Sequence, residues 1–294
     1  MQSKRIDSIL AKNQLQGLQY ILKTWGVERF MSSMFWILPK FKIEETAQQG
    51  SRLIPFHLNR IQRTVEANLA QNNIFGKPRQ SGFTTYLSIR RLLMPAITDG
   101  GVGALLISQS GEYVQEHFAI AQRAYKLIGA VDPFNEDLNT FNHSLKANLL
   151  HTTYSNRREL VFDFLDSKVR VASAEVEESG QGLTLQHIVA DEYARWPGNP
   201  EATLANIRGA LVPGGTVDKS STANGAGGPF FEDTMRALNN AKESDAKLHW
   251  FGWWWEETFD SEMTHREQVE MENDLTSDEL KIIALIHKEL SAAV

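Results

Sequence analysis

The residues best suited to chemistry form one stretch, Lys77-Pro78-Arg79-Gln80-Ser81-Gly82-Phe83-Thr84-Thr85. A short apolar run, Asn73-Ile74-Phe75, precedes it, and a run with helical spacing, Tyr86 to Leu93, follows. A strand, a loop without bulky apolar groups and a helix opening on Gly-x-Thr make the layout of a phosphate-binding loop. Backbone N–H groups at a helix start point at an anion, and the helix dipole favours negative charge there. The common pattern, G-x-x-x-x-G-K-[ST], carries its lysine after the second glycine. Here Gly82 and Thr84 supply the glycine and the hydroxyl, Phe83 stands in the lysine position, and Lys77 replaces the first glycine. A lysine stem is long and flexible enough to lean over the loop from its start and supply the charge.

A second constellation ends the apolar run Leu185-Gln186-His187-Ile188-Val189-Ala190 in Asp191-Glu192. Two carboxylates at a strand end divide two tasks. Asp191 would hold Mg²⁺, directly or through water. Glu192 would take a proton from the attacking water. A third stretch, Thr216 to Gly225, reads as a strand running into Ser221, Thr222 and Asn224. Short polar side chains there can touch a γ-phosphate or its water; a Ser/Thr/Gly-rich turn is the plainer reading. Upstream, Gln62 is placed to read an adenine edge, since its amide offers a donor and an acceptor together; a solvent-exposed glutamine is the alternative. The eight histidines show no metal-ligand spacing.

The positioning elements alternate. Ile6, Ile9, Leu10, Leu15, Leu18, Ile21 and Leu22 recur at helical spacing and make 1–48 a helical N-terminal extension, read as a packing arm. A helix is expected from Pro55 towards Gln62, a buried strand over Gly103–Ser108, and a helix from about Gly111 to Ile128, ended by Gly129. Residues 130–157 read as irregular, 159–164 and 168–172 as paired strands, and 201–211 as a helix ended by Pro213-Gly214-Gly215. A further helix is expected over 230–241, then a strand over 248–255 whose aromatics belong to the core, and a terminal helix opening at Thr276.

Composition narrows the classes. The 294 residues are 42% hydrophobic and 22% charged, ordinary for a globular chain of one large or two modest domains. A net charge of −6 excludes wholesale coating of nucleic acid, so any such contact needs a local basic patch. The absence of cysteine excludes disulfides and thiolate metal sites. The start of the chain lacks the apolar core of a signal peptide, and no run approaches a membrane-spanning length, so a cytoplasmic protein with no membrane association is expected.

Taken together, these motifs resemble the ATPase domain of a viral large terminase, over roughly residues 50–290. The Arg79-Gln80-Ser81-Gly82-x-Thr84-Thr85 loop is similar to the family's Walker A, including forms with the lysine at the loop's start and an aromatic after the glycine. Gly180-x-Gly182-Leu183-Thr184 ahead of Ile188 to Glu192 resembles the run into Walker B, and Ser221 to Gly225 resembles the coupling motif. The resemblance implies a three-layer α/β/α sandwich of P-loop NTPase type over 49–260, with a helical tail over 261–294 and no nuclease domain. It implies Mg²⁺-dependent hydrolysis of ATP that drives double-stranded DNA into a procapsid in the host cytoplasm. The implied partners are the portal, the small terminase subunit and further copies of the chain in a ring. By the same resemblance, Lys77, Arg79 and the loop (Gln80, Ser81, Gly82, Thr84, Thr85) hold nucleotide, and Thr84 and Asp191 hold Mg²⁺. Glu192 activates water, and Ser221, Thr222 and Asn224 pass nucleotide state onward. Arg157 and Arg158 are candidates for an arginine lent to a neighbouring subunit. A helicase-type motor and a catalytically silent docking subunit are the rival readings.

Overall fold

Why a short loop can gather residues from distant parts of this chain follows from how its strands are ordered. The structure, a computed structural model, describes residues 2–37, 54–128, 136–147, 149–155, 158–176, 182–240, 242 and 244–255. Among the described residues, eight strands form one sheet: β3 (Asn73–Gly76), β4 (Gly103–Ser108), β5 (Thr152–Ser155), β6 (Glu159–Phe162), β7 (Ser167–Ser173), β8 (Leu185–Asp191), β9 (Leu211–Ser221) and β10 (Lys247–Trp250). Their order is β10-β3-β9-β8-β4-β7-β6-β5, parallel from β10 through β7 and antiparallel at the β6 and β5 edge. A parallel sheet needs helices on both faces, so its central strands read as unbroken apolar runs. In β4, Ala104 and Leu106 enter one core while Leu105 and Ile107 enter the other.

One face is covered by the helical stretch Phe83–Thr98, which is α4 (Phe83–Leu87), a π-helical turn (Ser88–Leu93) and α5 (Met94–Thr98), and by α6 (Gly111–Leu127). The wide turn precedes Pro95, which has no N–H to give and whose ring crowds the carbonyl four residues back. The opposite face is covered by α8 (Pro200–Arg208) and α9 (Pro229–Asn239), through Leu204, Ile207, Phe230 and Ala237. The N-terminal segment is helical, as α1 (Gln2–Trp25) and α2 (Val27–Met34). Leu18, Phe30, Met31 and Met34 are buried in the same core as α4 and α6. A two-stranded ribbon, β1 (Trp36–Ile37) with β2 (Ile54–Pro55), follows.

Several sequence expectations are corrected. No helix starts at Pro55; α3 spans Arg60–Glu66, because Asn59 and Gln62 form a capping box that fixes its first turn. Residues 130–157 are not irregular throughout: α7 (Glu136–Ala147) and β5 lie there, in polar segments that hide their periodicity. Pro213-Gly214-Gly215 does not end a helix but lies inside β9, where the β8 pairing shifts register between Leu185 and His187. A Cβ on Gly215 would sit 2.6 Å from Leu211 and 3.0 Å from the Gln186 carbonyl, so the strand passes only as glycine. The last strand stops at Trp250, and Trp253–Trp255 form a 3-10 turn. Arg157, Gly180 and the expected tail over 261–294 lie outside the described residues.

Two histidines make stability pH-dependent. Burial, helped by Arg91 and Arg90, pushes His187 down to about 4; burial, helped by Lys247 and Arg91, does the same for His249. Both are neutral in the folded chain near neutral pH but take up a proton at about 6.5 when unfolded. Their contribution is therefore complete above about 6.5 and is lost as pH falls towards about 4. Urea denaturation at pH 7.0 and 4.5 is expected to show a loss of about 2–3 kcal/mol per histidine, with His187→Gln and His249→Gln flattening the slope.

Candidate active site

The parallel strands put the carboxyl ends of β3, β9, β8 and β4 on one edge, the edge at which such sheets bind ligands. There a cavity of about 880 Å³ is lined by the loop 77–85, by the start of α6, and by Glu192, Arg195, Thr222 and Asn224. The loop is tied back on its carbonyl side. Asn59 Nδ2 donates to the Ser81 carbonyl (2.9 Å), Gln62 Nε2 to the Gly82 carbonyl (3.1 Å) and Ser81 Oγ to the Pro78 carbonyl (3.1 Å). Gly82 takes a left-handed conformation (φ 65°) as the cap of α4, which only glycine adopts freely. The first N–H groups of the Phe83–Thr98 stretch have no partner within the helix and open towards the cavity.

Lys77 leaves β3 with its N–H on the Ser221 carbonyl of β9 (3.1 Å), and its side chain crosses to β8. Its Nζ lies 3.0 Å from Asp191 Oδ1, 3.2 Å from Glu192 Oε1 and 3.2 Å from Thr84 Oγ1. Thr84 Oγ1 in turn donates to Asp191 Oδ2 at 3.2 Å. Burial alone would push the Asp191 carboxyl up. The Lys77 ammonium, His117 and a hydrogen bond from Ser220 outweigh that and hold it at about 2. Burial would likewise depress Lys77, but Asp191 and Glu192 raise it, so the ammonium stays charged. Glu192 sits at φ 50°, a left-handed conformation unusual outside glycine that turns its carboxylate into the cavity.

The third stretch joins this cluster through a short turn. Ser221 Oγ donates to Glu192 Oε2 (3.4 Å), Arg195 Nη2 to Thr222 Oγ1 (3.4 Å) and Asn224 Nδ2 to the Ala194 carbonyl (3.0 Å). Arg195 Nε is 3.8 Å from Glu192 Oε2, so displacing the acid disturbs Thr222. Arg79 and Gln80 are exposed at the cavity rim, Gln80 at φ 62°, and Thr85 lines the wall. Arg158 is exposed just ahead of β6, away from the cavity lining.

Three residues escaped the sequence reading. Ser220 Oγ donates a short hydrogen bond to Asp191 Oδ1, and the alternation of β9 contains it but nothing marks it as functional. His117 Nδ1 lies 3.2 Å from Asp191 Oδ2, although burial keeps the ring below the usual histidine range. Arg195 follows Asp191-Glu192 so closely that its role could have been suspected.

Gln62 is placed differently from the expectation. It is only 3% exposed, its Oε1 accepts the Asn59 N–H (3.1 Å), and its Nε2 is spent on Gly82. It braces the loop 77–85 from behind. Gln62→Ala is expected to cost about 1–2 kcal/mol of stability, as loss of a capping box does, with the ratio of ATP to GTP affinity unchanged. Denaturation and competitive nucleotide titration check the two halves.

Neither a family model nor a curated protein matches the sequence. Solved structures do match. The HK97 bacteriophage large terminase aligns with 85% of this chain at a TM-score of 0.56 and 18% identity. The large terminase of a thermophilic bacteriophage aligns with 76% at a TM-score of 0.50 and 12% identity. The fold is that of phage large terminases. The three-layer sandwich with its mostly parallel sheet is thus an arrangement shared with those terminases. The chain spans about half the length of these two terminases, 51% of each. Within the terminase fold, the lysine at the loop's start meets the acid pair of β8 across one intervening strand.

Proposed function

We propose that this chain hydrolyses ATP with Mg²⁺ and uses the energy to drive double-stranded DNA into a viral procapsid. One observation carries the reading: the Lys77 ammonium, launched from β3, lies within 3.2 Å of both Asp191 and Glu192 and of the Thr84 hydroxyl. The terminase fold supports it. The donor set fits a divalent cation, since one hydroxyl and one carboxylate oxygen 3.2 Å apart suit a hard ion completed by water and phosphate oxygens. Thr84 and Asp191 would hold Mg²⁺, which when bound neutralises phosphate charge.

The chain's own groups do the rest. The N–H groups of the loop and α4 bind phosphate oxygens, and Lys77 turns from the acids towards them when nucleotide enters. Glu192 accepts a proton from the attacking water on its carboxylate. Ser220 keeps Asp191 oriented, and Arg79 at the rim reaches towards the terminal phosphate. Ser221, Thr222 and Asn224 respond through Arg195 and the Glu192–Ala194 turn when Glu192 moves. In this reading the chain works as a ring on the portal with the small terminase subunit, in the host cytoplasm. Its DNA contacts are phosphate-directed and weaken with salt.

Phosphate release by the chain mixed with portal and linear duplex DNA tests this. Turnover that needs Mg²⁺ and rises with DNA is expected. Strand separation without any portal requirement would favour a helicase, and no turnover in the full mixture would favour a silent docking subunit.

A further inference from the structure

The phosphate cavity has a neighbour walled largely by aromatic rings. A second, mainly apolar cavity of about 410 Å³ shares Lys77, Pro78 and Arg79 with the first and is otherwise walled by Gly76, Ala223 and the segment Trp250–Trp254. The sequence places these aromatics in the core, and Phe251 and Trp255 are there. Trp250 and Trp253 are not: they are 48% and 63% exposed.

Their exposure is built in. Trp250 pairs with Gly76 across β10 and β3, and a Cβ on Gly76 would run into the indole. The ring therefore lies flat on the residue just before Lys77. Gly252 does the same for Trp254, where a Cβ would collide with the ring, and Trp253 packs edge-on to Trp254 at 5.9 Å. The turn is fixed by Arg60, whose Nη2 donates to the carbonyls of Trp254 (3.3 Å) and Trp255 (2.8 Å). Arg60 stands in α3 between Asn59 and Gln62, the two residues that hold the phosphate loop. One short helix thus sets the phosphate cradle and the tryptophan wall in fixed relation.

We propose that the aromatic base of a bound nucleotide stacks on Trp250 and Trp253 in this second cavity. The inference rests on the phosphate-site reading above and adds where the base goes, since the Gln62 amide is spent inside the fold. Stacking is tolerant of base identity because every base has a π-face, so ATP and GTP are expected to bind similarly.

Mg-ATP and inorganic Mg-tripolyphosphate, titrated into the whole chain by calorimetry and tryptophan fluorescence, separate base from phosphate. In Trp250→Ala/Trp253→Ala the ATP dissociation constant is expected to rise about 5- to 100-fold, with tripolyphosphate unchanged. Wild-type fluorescence should respond to ATP and not to tripolyphosphate. Both substituted side chains are exposed, and Trp250→Phe and Trp253→Phe, which keep a ring, should recover most of the affinity. If both ligands bind and the double variant holds ATP as tightly as wild type, or if the loss follows Tyr113→Ala instead, at the exposed ring of α6 that lines the first cavity, the stacking site is wrong while the phosphate site stands. If neither ligand binds the wild type, both readings fall.

Discussion

Glu192→Gln is expected to lower the maximal rate of ATP hydrolysis by about 10²–10⁴-fold, the usual contribution of a positioned general base. The amide keeps the size of the side chain and can still accept from Ser221, so the fold and nucleotide affinity should change little. What it lacks is basicity, and only the chemical step requires that. The backbone at Glu192 is held left-handed with the acid aimed at the cavity, so no other carboxylate of β8 can take its place without rebuilding the strand end. Initial-rate kinetics beside ATP-binding calorimetry check this. A rate within about threefold of wild type would assign the base elsewhere.

Lys77→Ala is expected to do more than stop hydrolysis. Asp191 is fully buried, and Lys77 is the leading charge that outweighs its burial. Removing one partner of a buried pair leaves an uncompensated charge, at a cost of about 3–5 kcal/mol. Denaturation in EDTA, which keeps divalent cations from standing in for the ammonium, should register that loss. Adding Asp191→Asn should restore most of the stability, because the fully buried charge is then gone and Glu192 keeps Arg195 beside it, while turnover stays absent. A single variant as stable as wild type would mean that the ammonium does not pair with Asp191 in solution.

The two arms of this double substitution separate structure from chemistry. The Lys77–Asp191 contact joins β3 to β8 across β9, so it holds the sheet edge together before any ligand arrives. When phosphates take the ammonium, Asp191 needs another cation, and Thr84 stands beside it. In the proposed mechanism nucleotide and metal binding are then coupled, since each relieves the charge that the other leaves.

Local features were legible from the residues alone. The alternation of apolar runs and helical spacings carried the α/β class, and the loop 77–85 and the Asp191-Glu192 strand end, which meet at one cavity lined by the loop and Glu192, marked the candidate site, because each is set by neighbours in the chain. The position of Lys77 at the loop's start was visible too, and its reach follows from its stem. Tertiary structure decided what depends on pairing between distant segments. β9 runs through Pro213-Gly214-Gly215 because β8 pairs with it on both sides of that stretch, at Leu211 and from Thr216 onward, which local turn chemistry cannot reveal. Ser220 and His117 reach Asp191 only because β9 and α6 are packed beside β8. Gln62 became a brace and Trp250 an exposed platform for the same reason: burial is a property of the assembled sheet. A glutamine or tryptophan carries no mark of the side it will face.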